Sequence, residues 1–265
     1  MRKINSANRY QTINNNKMKV FQNLTLGFIL LFVSSCNKCT IKYSSKKFDN
    51  APRKTISIGD ITAIENTSTL QINYRQSKNS CLVIEGDTSK FECLKFSISN
   101  SKLYFKFKDG NYEDLWLRVT VYAPNVNEFS SKSGSLLLNS IKTDYNLIFD
   151  CREAGAISAN SVKCSREIEI KNSDAGAVIL ENIEANKIMI RQRDAGYISA
   201  KAICSKRNID ILNSDAGTIN INCKSYGLYV TNKGSGNVNG TANYKYKSFE
   251  NEGIGSVYIR KSESI

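Results

Sequence analysis

Between Cys151 and Asn220 one phrase occurs four times, as C-R-E-A-G-A-I-S-A, N-S-D-A-G-A-V-I-L, Q-R-D-A-G-Y-I-S-A and N-S-D-A-G-T-I-N-I. Its glycines stand at Gly155, Gly176, Gly196 and Gly217, and weaker copies place Gly134 upstream and Gly236 and Gly255 downstream. Successive glycines are 21, 21, 20, 21, 19 and 19 residues apart. A repeat this short cannot bury an apolar face alone, so a period near twenty requires the repeats to stack on one another.

Columns counted from each glycine show how they stack. Two residues after it come Leu136, Ile157, Val178, Ile198, Ile219, Val238 and Val257; four after it come Leu138, Ala159, Leu180, Ala200 and Ile221. Later in each repeat a second alternating pair appears: Leu147 and Phe149, Ile168 and Ile170, Ile188 and Ile190, Ile209 and Ile211, Leu228 and Val230. Period two within a segment marks strands, and the fixed period between segments brings like positions into register. The expected fold is all-β: a right-handed, single-stranded parallel β-helix of about seven coils over residues 134–262. The small residue before each glycine suits a corner, and the glycine itself is expected to take positive φ there. Cys151, Asn172, Gln192, Asn213, Asn232 and Asn251, four before each glycine, are expected to form an amide ladder from coil to coil.

The column two before the glycine is acidic: Glu153, Asp174, Asp194 and Asp215. At one strand spacing per coil, neighbours lie about 4.8 Å apart, close to the separation of the carboxylates of a retaining glycosidase. Stacked carboxylates could also hold Ca²⁺. Against both, Asp at a turn commonly bonds its own backbone, and the turn role ranks first, with no catalytic residue and no metal ligand assigned. Arg152, Arg191 and Arg193 flank the row, and with Glu153, Asp174, Asp194 and Asp215 they make up a candidate binding edge.

Upstream of the repeats the pattern is less regular. Alternation around Ile56–Ile64, Leu70–Tyr74, Cys81–Ile84, Leu103–Phe107 and Leu115–Val121 reads as an antiparallel β segment over residues 55–133, packed on the N-terminal end of the helix. Asp109-Gly110 is the expected hairpin turn joining its last two strands. Thr88 or Ser89 is placed to cap one helical turn holding Phe91 and Leu94. Trp116 is expected to cover a neighbouring layer.

The amino end reads as an address. Residues 1–36 form a signal peptide with Met18 as an alternative start, and the apolar run Leu24–Val33 has signal length. Val33-Ser34-Ser35-Cys36 has the form of a bacterial lipobox, which makes Cys36 a lipidation site and the anchor of an exported protein. Residues 37–54 read as a flexible basic tether. The net charge of +13 includes five basic residues before position 36, and the remaining excess is dispersed. No RNA-binding signature or zinc spacing accompanies it, so a nucleic-acid partner is not expected. The chain has no histidine, which removes Ser-His-Asp and Cys-His nucleophile pairs and His-ligated metals. Of the seven cysteines after Cys36, most read as small buried apolar groups.

The lipobox, the strand ending Val119-Thr120-Val121-Tyr122-Ala123-Pro124, the phrase Ser131-Lys132-Ser133-Gly134-Ser135 and the twenty-residue Gly-x-apolar coils together resemble the family of putative auto-transporter adhesin head, or GIN-type, domains (DUF2807-like proteins). The resemblance covers roughly residues 52–262. It departs from the family at the corners, where Asp-Ala-Gly replaces the usual Ser-Gly-Ser/Ala-Gly. The resemblance implies a bacterial envelope lipoprotein, outer-membrane anchored, serving adhesion without a cofactor, and supplies no catalytic residues. Two functional readings follow. One is a non-catalytic binding or structural head, with a glycan or envelope protein as ligand and the membrane held through the lipid. The other is a carbohydrate-active enzyme, a glycosidase or lyase using the acidic row. The uniform coil lengths leave little material to wall a groove and favour the first.

Overall fold

The computed structural model describes residues 39–263. Cys36, the lipobox and the rest of the signal segment lie outside them. The described chain is a β-solenoid of about six turns, and its strands follow the columns. Long strands β11 (Ser135–Thr143), β13 (Ala156–Cys164), β15 (Ala177–Ala185) and β17 (Tyr197–Ser205) pair in parallel, each with the next. Short strands β12 (Leu147–Cys151), β14 (Glu167–Asn172), β16 (Lys187–Gln192) and β18 (Asn208–Asn213) form a second parallel ladder. Both ladders continue into β19 (Thr218–Asn232) and β20 (Asn237–Asn251). The coil begun by Gly255 contributes only β21 (Ser256–Lys261), paired to the first part of β20. The count of about six turns compares with the seven coils expected from the glycines.

The apolar columns point inward. Leu136 through Val238 and Leu147 through Val230 are buried along the two ladders, and Val257 is half-buried on the last strand. A further inward column, Ile141, Val162, Ile183, Ile203, Cys223 and Ala242, is also buried. It lies beyond a bend in the long strands, where the ladder skips Asn139, Asn160, Glu181 and Lys201. A strand that breaks phase at its middle residue presents its two halves to the core separately, so no single alternation runs through it. The last coil protects its open end. Lys247 pairs with Leu228 of the apolar column, and its ammonium lies 5.1 Å from the Phe249 ring centroid and 5.9 Å from that of Tyr244. Lys261 reaches the same Tyr244 ring at 5.5 Å. A lysine in a core column of an edge strand discourages a second chain from stacking on it.

The region before Gly134 is mixed rather than antiparallel. Strands β3 (Ala63–Asn66) and β4 (Gln71–Gln76) pair in parallel with β10 (Glu128–Ser131) and β11, adding a rung to the solenoid. Beyond them β7 (Lys102–Phe107) pairs in parallel with β3, and β9 (Leu117–Ala123) with β4. Antiparallel pairing is confined to the outermost strands: β2 (Arg53–Ser57) on β5 (Cys81–Gly86), β5 on β9, and β6 (Leu94–Ser99) on β7. The hairpin turn is therefore Asn100-Ser101, both at positive φ (51° and 56°), as a two-residue hairpin with the twist of its strands requires. Asp109-Gly110 instead leads into β8 (Gly110–Leu115), which pairs with β1 (Cys39–Tyr43). The short helix over Thr88–Cys93 is of the 3-10 type and is capped by Asp87, whose carboxylate accepts from the Ser89 amide at 2.9 Å.

Residues 39–54, read from the sequence as a tether, carry β1 and reach into β2. Phe48 stacks on Trp116 with centroids 5.7 Å apart, and the Arg118 guanidinium lies over the Phe48 ring at 4.4 Å. One aromatic anchor holds a segment whose composition otherwise reads as linker. Nearby, Glu85 joins β2, β5 and β9 by accepting from Arg53 and Arg118, each at 2.7 Å. Burial pushes its carboxyl up, and the bonds from Arg118 and Arg53 together hold it below the usual range.

Candidate functional site

The acidic row lies on one corner of the solenoid, its carboxylates exposed and its glycines buried. Glu153, Asp174 and Asp194 take φ of 50°, 60° and 62°, while the repeat glycines do not adopt positive φ. Asp tolerates this left-handed region better than most residues, so the turn needs no glycine at that place. Glycine is needed two positions later for space. A Cβ on Gly155 would come within 2.4 Å of the Ser131 carbonyl oxygen, and one on Gly255 within 1.8 Å of the Gly236 oxygen. The corner divides its demands between an acidic residue for dihedral and a glycine for close packing.

With φ positive, the backbone amides of Glu153, Asp174 and Asp194 turn toward the next coil. Asp174 Oδ2 accepts from the Glu153 amide at 3.2 Å, Asp194 Oδ2 from the Asp174 amide at 3.3 Å, and Asp215 Oδ2 from the Asp194 amide at 3.4 Å. The four residues form one row, as their spacing predicts. Their carboxylates bond the preceding coil, however, where the sequence reading had each bonding its own turn. The charges of Asp174, Asp194 and Asp215 thus each sit on an N–H dipole, which offsets the repulsion between stacked carboxylates. Among the described residues no three His, Cys, Asp or Glu side chains are grouped to hold a metal ion.

The arginines divide differently from the row. Arg193 pairs with Asp194 at 3.5 Å. Arg152 instead bonds Asp150 through Nε at 3.1 Å, and Arg191 bonds Glu169 at 3.3 Å, where Lys171 also arrives at 2.8 Å. Arg152 and Arg191 are therefore committed to carboxylates of the short-strand ladder. The residues brought together by sequence are an acidic corner beside a set of closed ion pairs.

Beneath the corner runs the amide ladder. Asn172 donates to the Gly176 carbonyl and to Gln192 Oε1, both at 2.8 Å; Asn213 donates to Gly217 at 2.9 Å and to Asn232 Oδ1 at 2.8 Å; Asn232 donates to Gly236 at 3.0 Å and to Asn251 Oδ1 at 2.7 Å. Asn66 begins the same column by donating to the Leu70 carbonyl at 2.8 Å. The ladder breaks at Gln192, whose longer side chain donates to its neighbour's carbonyl, on Arg193, at 2.7 Å. Asn213 Oδ1 is consequently buried without a donor, as is Asn172 Oδ1 above Cys151. Replacing Gln192→Asn should supply the missing donor and raise stability by about 1 kcal/mol. A denaturation midpoint that falls in Gln192→Asn would contradict this account of the break.

The cysteines are mostly interior. Cys151, Cys164 and Cys223 are buried, Cys81 and Cys93 are half-buried, and Cys204 is exposed. Burial pushes the Cys151 and Cys223 thiols up to about 12. Cys164 donates to the Tyr145 carbonyl at 3.1 Å, and its counterpart two coils on, Ser205, donates to the Asn186 and Asn208 carbonyls at 3.0 Å.

A second cluster was not foreseen from the sequence. On the corner opening the short-strand ladder, Tyr226, Tyr229 and Tyr246 are exposed together beside Lys245. The available signal was the pair of strings Tyr226-Gly227-Leu228-Tyr229 and Tyr244-Lys245-Tyr246-Lys247, in successive coils, where Gly227 pairs with Tyr246.

Residues 60–265 match the family described as "Putative auto-transporter adhesin, head GIN domain". Among solved structures, one described as a putative adhesin from Bacteroides fragilis is similar with a TM-score of 0.64 and 18% identity, over 83% of this chain and 100% of that chain. Another, a putative adhesin from Parabacteroides distasonis, gives 0.59 and 16%, over 79% and 96%. A putative lipid binding protein from the same species gives 0.57 and 16%, over 80% and 97%. At such identities the likeness is one of fold. No curated protein matches the chain.

Proposed function

The chain belongs to the putative auto-transporter adhesin, head GIN domain family, and from that premise we propose that it is the non-catalytic binding head of a lipid-anchored envelope protein. The observation that carries this reading is the fate of the acidic row. Asp174, Asp194 and Asp215 each accept through Oδ2 from a backbone amide of the neighbouring coil. Acid–base catalysis needs two carboxyl groups held in unlike surroundings, and a repeating row supplies like ones. The names of the similar structures, two adhesins and one lipid binding protein, agree with a head that binds. Probing arrays of immobilised glycans and envelope proteins with the full chain in detergent tests the reading. Saturable binding to a member of either array is expected, and its absence from both would overturn it.

The anchor is proposed at Cys36, outside the described residues. Acyl chains contribute about 0.8 kcal/mol per buried CH₂, so a multiply acylated cysteine holds its protein stably in a membrane. Cys36→Ser should abolish incorporation of labelled palmitate and release the protein from the membrane fraction, with the outer membrane as the proposed site. Labelled palmitate retained in Cys36→Ser would rule out the lipobox.

A further inference from the structure

The tyrosine corner resting on β18, β19 and β20 has the makings of a ligand site. Tyr226 and Tyr246 meet edge to face with ring centroids 5.1 Å apart, and Lys245 Nζ stands 5.2 and 5.1 Å from the two centroids. Gly227 lies between them, paired with Asn208 on one side and Tyr246 on the other. A Cβ on Gly227 would fall 2.8 Å from the Tyr229 ring and 2.7 Å from Asn208 Oδ1. The glycine thus lets Tyr229 fold back over the strand at Gly227, beside the ladder partner Tyr246. The three tyrosines remain 51%, 39% and 49% exposed, although each carries apolar surface that neighbouring side chains could have covered.

The charge around the rings is mainly basic, although Asp210 is the ladder partner of Tyr229. The Tyr226 amide donates to the Arg207 carbonyl at 2.8 Å, which sets Lys206 and Arg207 on the adjoining turn, and Lys224 precedes Tyr226 by two residues. Among the described residues none of Lys206, Arg207, Lys224 and Lys245 forms an ion pair, whereas the nearby Asp210 is engaged by Lys187 at 3.3 Å. Elsewhere on the short-strand ladder, Lys171, Lys187 and Arg191 each meet a carboxylate. Cations left unpaired beside exposed aromatic rings are suited to a ligand that is both ring-bearing and anionic. The aromatic faces take the C–H face of a pyranose, while the ammonium and guanidinium groups take its carboxylate, sulfate or phosphate.

We propose that Tyr226, Tyr229, Tyr246 and Lys245, with Arg207 on the adjoining turn, form a binding site for an acidic oligosaccharide. The site deepens the adhesion reading and rests on it. It lies apart from the acidic row, whose charge would repel such a ligand, and the rows of the ladder give an extended sugar chain a track with a step of about 4.8 Å.

The test measures binding of oligogalacturonate to the full chain in detergent, with maltohexaose as the neutral counterpart. Oligogalacturonate should bind, more weakly as salt rises, and maltohexaose should bind at least roughly tenfold less tightly. Lys245→Glu and Tyr246→Ala should each weaken binding by roughly tenfold, the scale of one central contact, with unchanged melting because both side chains are exposed. No binding of oligogalacturonate, equal binding of maltohexaose, or unchanged affinity in both variants would overturn the site. Binding of phosphatidylglycerol vesicles at these residues in place of the sugar would overturn it equally. If the site fails while the arrays still show a ligand, the adhesion reading stands and only this corner is lost; if both fail, the adhesion reading falls with it.

Discussion

Ile188→Asp should leave the protein unfolded at room temperature. Ile188 is fully buried and pairs with Ile168 and Ile209 on either side, in the middle of the short-strand ladder. A carboxylate there would have apolar neighbours in three successive coils and no partner. An unpaired buried charge costs several kcal/mol on top of the lost packing, comparable to the whole stability of a domain, about 5–15 kcal/mol. Because each coil is held only by its neighbours, a break at the centre undermines both halves. The control is one residue away: Met189 points outward beside Glu169 and Asp210, so Met189→Lys should fold and melt close to wild type. Circular dichroism and gel filtration read both. A folded Ile188→Asp, or an unfolded Met189→Lys, would put the strand in the opposite phase.

The second large effect concerns the glycines. A Cβ on Gly236 would stand 2.0 Å from the Gly217 carbonyl oxygen and 2.6 Å from Asn213 Nδ2. Neither can yield cheaply, since one is backbone and the other donates to both the Gly217 carbonyl and Asn232 Oδ1. Gly236→Ala should therefore cost about 3 kcal/mol and lower the melting temperature by roughly 10 °C. Gly59 has nothing within 4 Å of the same added atom. Gly59→Ala should be neutral or slightly stabilising, by up to about 1 kcal/mol, through the unfolded chain. Equal melting of the two variants would show that the corner has slack the close approaches deny.

These two substitutions also mark what the sequence made legible. The inward columns could be read because Ile188 and its counterparts recur at one phase in every coil. The column of Ile141 and Val162 was passed over because the bend at Asn139 and Asn160 interrupts the alternation that would have joined it to Leu136 and Leu138. At the corners the row of Asp174, Asp194 and Asp215 was legible from spacing alone. Which residue holds the left-handed dihedral was not, since Asp and Gly both tolerate it and only the close approach at the glycine separates their roles. The N-terminal region was misread for a different reason: β3 and β4 belong to the solenoid through pairing with β10 and β11, some sixty residues on, and no local pattern records such a partner. Phe48 shows the limit most plainly. One aromatic residue in a basic, linker-like segment finds Trp116 and Arg118 only in three dimensions. The binding corner stayed hidden because exposed tyrosines on strands are common, and it is Gly227, together with the unpaired cations, that sets these apart.

The central claim is that the acidic row is part of the architecture, a set of carboxylates bonded to the backbone of neighbouring coils, and performs no chemistry. It is tested most directly by assaying the wild-type chain for hydrolase and lyase turnover on a panel of polysaccharides, alongside Asp174→Asn and Asp194→Asn. The expected result is no turnover by any of the three, with melting of the variants within about 1 kcal/mol of wild type. Turnover by wild type that is abolished in both variants, at unchanged melting, would contradict the claim.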